Sequence, residues 1–156
     1  LYGKNGIQKD IRRIVKPLLE QITFEYLKVF EYDFLGIKID DDYNIYLLTP
    51  RGLENIDMLS GGEKVSLALA LRLAIAHILS GKKQNFLMLD EPTIHLDEER
   101  RRYLVKAINR LFRGGKMFTQ MIVVTHDREL EDMADVVYRV VKTPNGSKVL
   151  KQTGLT

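Results

Sequence analysis

Cysteine is absent from the 156 residues, which excludes disulfides and thiolate metal sites and agrees with a reducing compartment. Proline is scarce, at four, and no repeat or low-complexity tract occurs, so nothing points to a fibrous or disordered chain. Long apolar runs are missing too. The longest, within Val65–Leu79, is interrupted by Arg72 and His77 and is too short to span a bilayer. No charged segment leads into an apolar one at the N-terminus, so no signal peptide is visible. The chain opens on Leu1 rather than Met and reads as a piece of a longer protein.

What is present is an ordinary globular composition, 45% apolar and 29% charged, enough for one domain with a single sizeable core. The net charge of +3 is unevenly spread: residues 1–78 hold 10 basic and 11 acidic side chains, residues 79–156 hold 14 and 10. So mild a balance does not by itself argue for nucleic-acid binding.

From Ile7 to about Phe30 the apolar residues recur at helical spacing, and Pro17 should kink this helix or divide it. Phe34–Ile39 and Ile45–Thr49 read as two strands of a hairpin around the acidic turn Asp40-Asp41-Asp42-Tyr43-Asn44. Three adjacent aspartates resemble a cation site, but the alternating ligands and central Gly of an EF-hand loop are missing, which favours a polar turn. A loop with Pro50 and Gly52 follows. Then come a helix from about Gly62 to Leu79, a strand Phe86–Leu89, a helix from about Asp97 to Phe112 and a strand Met121–Thr125. A short helix through Leu130, a strand Val136–Val141, a turn at Pro144-Asn145-Gly146 and a short strand Lys148–Leu150 complete the chain. Helices alternating with near-continuous apolar strands imply an α/β fold with a parallel sheet covered on both faces.

Three segments carry candidate chemistry. Phe86-Leu87-Met88-Leu89-Asp90-Glu91 delivers two carboxylates at the C-terminal end of a strand, the end at which open α/β sheets bind ligands. One acid there can organise Mg²⁺, and the other can polarise a water attacking a phosphate; the plainer alternative is that both cap the next helix. Ser60 before Gly61 and Gly62 is a good N-cap, and the following helix N-terminus suits a phosphate, although Ser-Gly-Gly also describes any helix entry. Met121-Ile122-Val123-Val124-Thr125-His126-Asp127 places a His at another strand end, where it can bond a phosphate oxygen or play a structural part. His77 reads as helix packing and His95 as a loop residue.

Order and spacing resemble the ABC ATPase superfamily. Leu59-Ser60-Gly61-Gly62-Glu63-Lys64 looks like its signature motif, Leu87–Glu91 its Walker B strand, Thr93-Ile94-His95-Leu96-Asp97 its D-loop and Val124-Thr125-His126-Asp127 its switch histidine. No Gly-x-x-x-x-Gly-Lys-Ser/Thr phosphate loop occurs. Gly3-Lys4-Asn5-Gly6 and Gly114-Gly115-Lys116-Met117 lack both its spacing and its hydroxyl. That split is similar to SMC-like ATPases, whose P-loop and signature halves are separated by a long coiled coil. Asp90-Glu91-Pro92-Thr93, Leu96-Asp97-Glu98-Glu99-Arg100-Arg101-Arg102 and the opening Gly3-Lys4-Asn5-Gly6-Ile7-Gln8 resemble the DNA double-strand-break repair ATPases that partner a nuclease.

The resemblance implies the C-terminal half of an ABC-type ATPase head. Residues 1–30 would be the helix re-entering from the coiled coil, a β-hairpin would follow, and 59–156 would hold the signature, Walker B, D-loop and switch region. It implies ATP and Mg²⁺ as cofactors, with Asp90 holding the metal through water, Glu91 as general base and His126 on the γ-phosphate of its own head. Ser60, Gly61, Gly62, Glu63, Lys64 and Asp97 would face the nucleotide of the opposite head. Implied partners are the N-terminal P-loop half, a second head, the repair nuclease and DNA, with no membrane, in the cytoplasm or nucleus. The rivals are another ABC-type head, of recombination, chromosome-structure or transporter type, and a module that dimerises on ATP without turnover. Arg72, amid Leu71, Leu73 and Ala74, is expected to couple dimerisation to lobe motion together with Lys64, or else to be a partly exposed helix charge. Arg100–Arg102 could touch nucleic acid, but pairing of Glu98 with Arg102 is the duller and favoured explanation.

Overall fold

A computed structural model describes residues 4–81, 85–94, 96–111 and 118–153, with only the helix backbone for 4–12. His95, Gly114–Met117 and the expected helix end at Phe112 lie outside the described residues. The long first helix, α1, runs unbroken over Lys4–Leu27 with Pro17 inside it, so the expected division does not occur. Proline removes a single backbone donor, and exposure of Arg13 and Pro17 leaves the freed carbonyl region to water. A 3-10 turn, Lys28–Phe30, ends in Glu31 at φ 57, whose amide donates to the Lys28 carbonyl. The Arg110 guanidinium donates to the Phe30 carbonyl at 2.6 Å, holding this corner to the third helix.

Strands β1 (Gly36–Ile39) and β2 (Ile45–Thr49) pair antiparallel, as expected, and a third strand, β3 (Gly52–Asn55), pairs with β2. This corrects the expected loop at Pro50–Gly52. Only four residues long and with Leu53 exposed, β3 carries too little alternation to be read as a strand. In the acidic turn, Asp40 Oδ1 accepts from the amides of Asp42 and Asn44 at 2.9 and 2.8 Å. Hydrogen bonding from the Asn44 side chain, above all, holds the Asp40 carboxyl below the usual range. The aspartate is spent on the turn, and among the described residues no group of three or more His, Cys, Asp and Glu is placed to hold a metal ion. Across from it, Glu20 of α1 accepts from the Ile39 amide at 2.7 Å, fastening β1 to the helix.

Helix α2 (Gly61–Ser80) closes with Gly81 at φ 67, a left-handed cap that suits glycine. Strands β4 (Phe86–Asp90) and β5 (Gln120–Val124) pair in parallel, with helix α3 (Glu98–Asn109) between them in sequence. Helix α4 (Arg128–Asp132) leads to an antiparallel hairpin, β6 (Val136–Thr143) and β7 (Gly146–Thr153). The last two are longer than expected, and among the described residues neither joins the parallel pair.

The core runs from α1 through α2 to α3, with Leu27, Phe30, Leu47 and Leu111 fully enclosed. Truncating Phe30 to Ala would cost about 3–5 kcal/mol. His77 sits edge-on to Tyr26, ring centroids 6.2 Å apart, as the helix-packing reading expects. Leu87, Leu89, Met121 and Val123 of the parallel pair pack on this core. Their neighbours face the other way: Phe86 is 46% and Met88 60% exposed. Among the described residues, the cover expected on both faces is found on one. No helix among the described residues is long and apolar enough to cross a membrane.

Candidate functional site

The strand tips come together because β4 and β5 stay in register to their ends, Asp90 opposite Val124. The Glu91 amide then donates to the Val124 carbonyl at 2.8 Å. Glu91 itself has φ 43, a left-handed conformation that costs a non-glycine residue on the order of 1 kcal/mol or more. The strained turn throws its side chain toward β5, where His126 waits. His126 Nδ1 hydrogen-bonds Glu91 Oε1 at 3.1 Å and lies 2.9 Å from Oε2. The ring meets Oε1 in bonding geometry, so Oε2 remains buried without a hydrogen bond among the described residues. Asp90 is exposed at the same tip.

The Ser60–Lys64 group forms the start of α2. Ser60 Oγ accepts from the Glu63 amide at 3.3 Å and Glu63 Oε2 accepts from the Ser60 amide at 2.7 Å, a reciprocal capping box. Lys64 Nζ donates to the Asp57 carbonyl at 3.3 Å. The two glycines have a role that their residue type alone does not reveal: the Tyr103 ring of α3 lies against both. A Cβ on Gly61 would stand 3.1 Å from Tyr103 Cε2, and one on Gly62 would stand 3.1 Å from Cδ1. The Tyr103 hydroxyl donates to Glu99 at 2.9 Å, and that bond pushes its ionisation up.

Asp97 caps α3, accepting from the Arg100 amide at 2.8 Å. The arginine run divides its labour. Arg102 pairs with Glu98 as expected, at 2.5 Å, and Arg100 lies 3.5 Å from Asp97. Arg101 instead points to Asp127, beside the histidine, its Nε 3.7 Å from Oδ2. Arg72 is exposed and has no ion-pair partner among the described residues. No hydrogen bond or ion pair among the described residues joins the Ser60–Lys64 group to the Glu91–His126 pair. Helix α3 touches the two glycines through Tyr103 and, through Arg101, reaches Asp127 next to His126.

Residues 3–149 match the family described as the RecF/RecN/SMC N terminal domain. The chain belongs to the RecF/RecN/SMC family. Among curated proteins of that kind it is similar to the DNA double-strand break repair Rad50 ATPase of Methanocaldococcus jannaschii, 42% identical over 96% of this chain and 14% of that protein. It is also similar to the one from Saccharolobus solfataricus, 50% identical over 97% of this chain and 18% of that protein. The chain therefore spans under a fifth of the length of these relatives. Among solved structures, an SMC head domain from Thermotoga maritima is 27% identical, with a TM-score of 0.58 over 92% of this chain and 51% of that one. The α/β fold of a parallel strand pair flanked by helices is thus an SMC ATPase-head fold.

A magnesium nucleotide suits the donor set. Asp90 offers one exposed carboxylate, and Mg²⁺ is commonly held by one or two carboxylates together with phosphates and water. The remaining ligands and the phosphate cradle are not supplied by this group of residues.

Proposed function

We propose that this chain is the C-terminal half of the ATPase head of a DNA double-strand-break repair complex, active when an N-terminal P-loop half completes it. Residues 1–30 would form the segment re-entering from a coiled coil, and 59–156 would hold the signature-to-switch region. The observation that carries the reading is the Glu91–His126 pair at adjoining strand tips, 3.1 Å apart, next to Asp90.

Asp90 would hold Mg²⁺, which when bound would supply neutralisation of phosphate charge. Glu91 takes the proton of the attacking water. His126 Nδ1 lies against both carboxylate oxygens, 3.1 Å from Oε1 and 2.9 Å from Oε2, and so holds the carboxylate in place. His126, using Nδ1 on Glu91, keeps Nε2 for a γ-phosphate oxygen; both nitrogens donate when the ring is protonated. Ser60, Gly61, Gly62, Glu63 and Lys64 face a second nucleotide on an opposing head, together with Asp97. Among the described residues no bond joins that group to Glu91–His126, in keeping with two separate nucleotides. ATP shared between two heads favours the dimer by mass action, and hydrolysis releases it. In this reading the partners are a second head, a nuclease and DNA, and the setting is intracellular.

Turnover measured after adding the P-loop half tests this, with Glu91→Gln as control. Phosphate release that Glu91→Gln abolishes supports the reading. ATP-driven dimerisation with no turnover in the parent would replace it with a binding module.

A further inference from the structure

Two partner-seeking atoms face each other at the side of this site. Asp127 is almost wholly buried, with its side chain 7% exposed. Its Oδ1 is used, accepting from the Glu129 amide at 3.0 Å to start α4. Among the described residues its Oδ2 is buried with no hydrogen bond, and so is Arg101 Nε; the two form an ion pair at 3.7 Å. That distance is too long for a hydrogen bond, and buried polar atoms left unsatisfied destabilise the arrangement that leaves them so. A closure of a little under 1 Å would satisfy both at once, since such bonds form near 2.8–2.9 Å.

The ends of this gap are fixed to the two parts of the site. Arg101 lies in the first turn of α3, its amide donating to the Asp97 carbonyl at 2.9 Å. Asp127 follows His126 directly, and the Asp127 amide donates to Thr125 Oγ1 at 3.1 Å. An approach of Arg101 to Asp127 therefore acts directly beside the ring that bonds Glu91. Resting on the proposed hydrolytic site, we propose that Arg101 is a positioning residue for hydrolysis, closing on Asp127 to set His126 and Glu91. Misplacement of about 1 Å at a reacting group is enough to lose about a hundredfold in rate.

The test uses the full-length ATPase with its P-loop half, comparing Arg101→Met, Asp127→Asn and the double variant. Asn keeps an oxygen for the α4 cap while removing the charge that faces Arg101. Arg102→Met, whose partner Glu98 is exposed, serves as the control on the same helix. Expected is a fall in kcat of tenfold or more in each single variant, with the KM for ATP and ATP-driven dimerisation held within about twofold. The double variant should be no worse than the poorer single one. Multiplicative losses in the double variant, or singles that match Arg102→Met, would overturn the proposal. Parent enzyme that itself fails to turn over would strike the functional reading instead, so the two failures are distinguishable.

Discussion

The ring of Tyr103 lies so close to Gly62 that a Cβ on this glycine would stand 3.1 Å from Cδ1. Alanine there favours the helix by about 1 kcal/mol, yet it must displace a ring tethered through its hydroxyl to Glu99. Overpacking of this kind costs about 1–3 kcal/mol. Gly62→Ala is therefore expected to weaken ATP-driven dimerisation of the complete ATPase by about tenfold, read by sedimentation. Adding Tyr103→Ala should restore part of the loss; no recovery would show that the ring is not the obstacle.

Ser60 serves two proposed ends, the helix cap and a phosphate, and two substitutions separate them. Ser60→Ala loses the cap and about 1 kcal/mol of stability. Ser60→Asp keeps a good cap but sets a negative charge where a phosphate is expected. Both should lose ATP-driven dimerisation, whereas only Ser60→Ala should lower the melting temperature. A Ser60→Asp protein that dimerises like the parent would remove Ser60 from the nucleotide site.

His126→Ala frees the Glu91 carboxylate from its 3.1 Å bond without touching the acid itself. Phosphate release should fall about a hundredfold, within the usual range for losing a group that serves acid–base catalysis, and ATP binding should persist. Unchanged turnover would leave the pair as strand-end architecture.

Asp40 gives a pH dependence. Its carboxyl is held below the usual range chiefly by the Asn44 side chain, so its contribution to the turn is present above the unfolded pKa, about 3.9. That contribution is lost as pH falls through the lower folded value. Amide exchange at Asn44, corrected for intrinsic rate, should stay slow from neutrality down to about pH 4 and accelerate below it. Asp40→Ala should be fast throughout.

Much of this site is legible along the chain because each motif is local. A strand ending in Asp90-Glu91, a helix opened by Ser60 with Glu63 three residues on, and a histidine at the next strand end are all short-range patterns. The Ser60–Glu63 capping box is a case where spacing alone gives the bond. Arg101–Asp127 and Tyr103–Gly62 are different, since each joins α3 to an element distant in sequence and no periodicity marks the partner. Arg101 sits between two arginines that bond within their own helix, so its separate direction shows only in three dimensions. The same holds for β3, whose Leu53 is exposed and whose strand identity comes from pairing with β2 rather than from its own residues. Pro17 misleads in the opposite sense, as a strong local signal that the surrounding helix overrides.

The bare outer face of β4 and β5 bears on how such a protein must be made. Phe86, Met88, Ile122 and Val124 point away from the core, and apolar surface of this kind on a strand pair invites association with any extended chain that passes. If this chain is half of a head, as proposed, copies synthesised in excess would be sticky cargo for chaperones and proteases rather than a harmless surplus. If the proposed reading holds, encoding both halves in one polypeptide would fix their ratio at one to one, whatever length of chain separates them, so that neither would wait for a mate that was never translated.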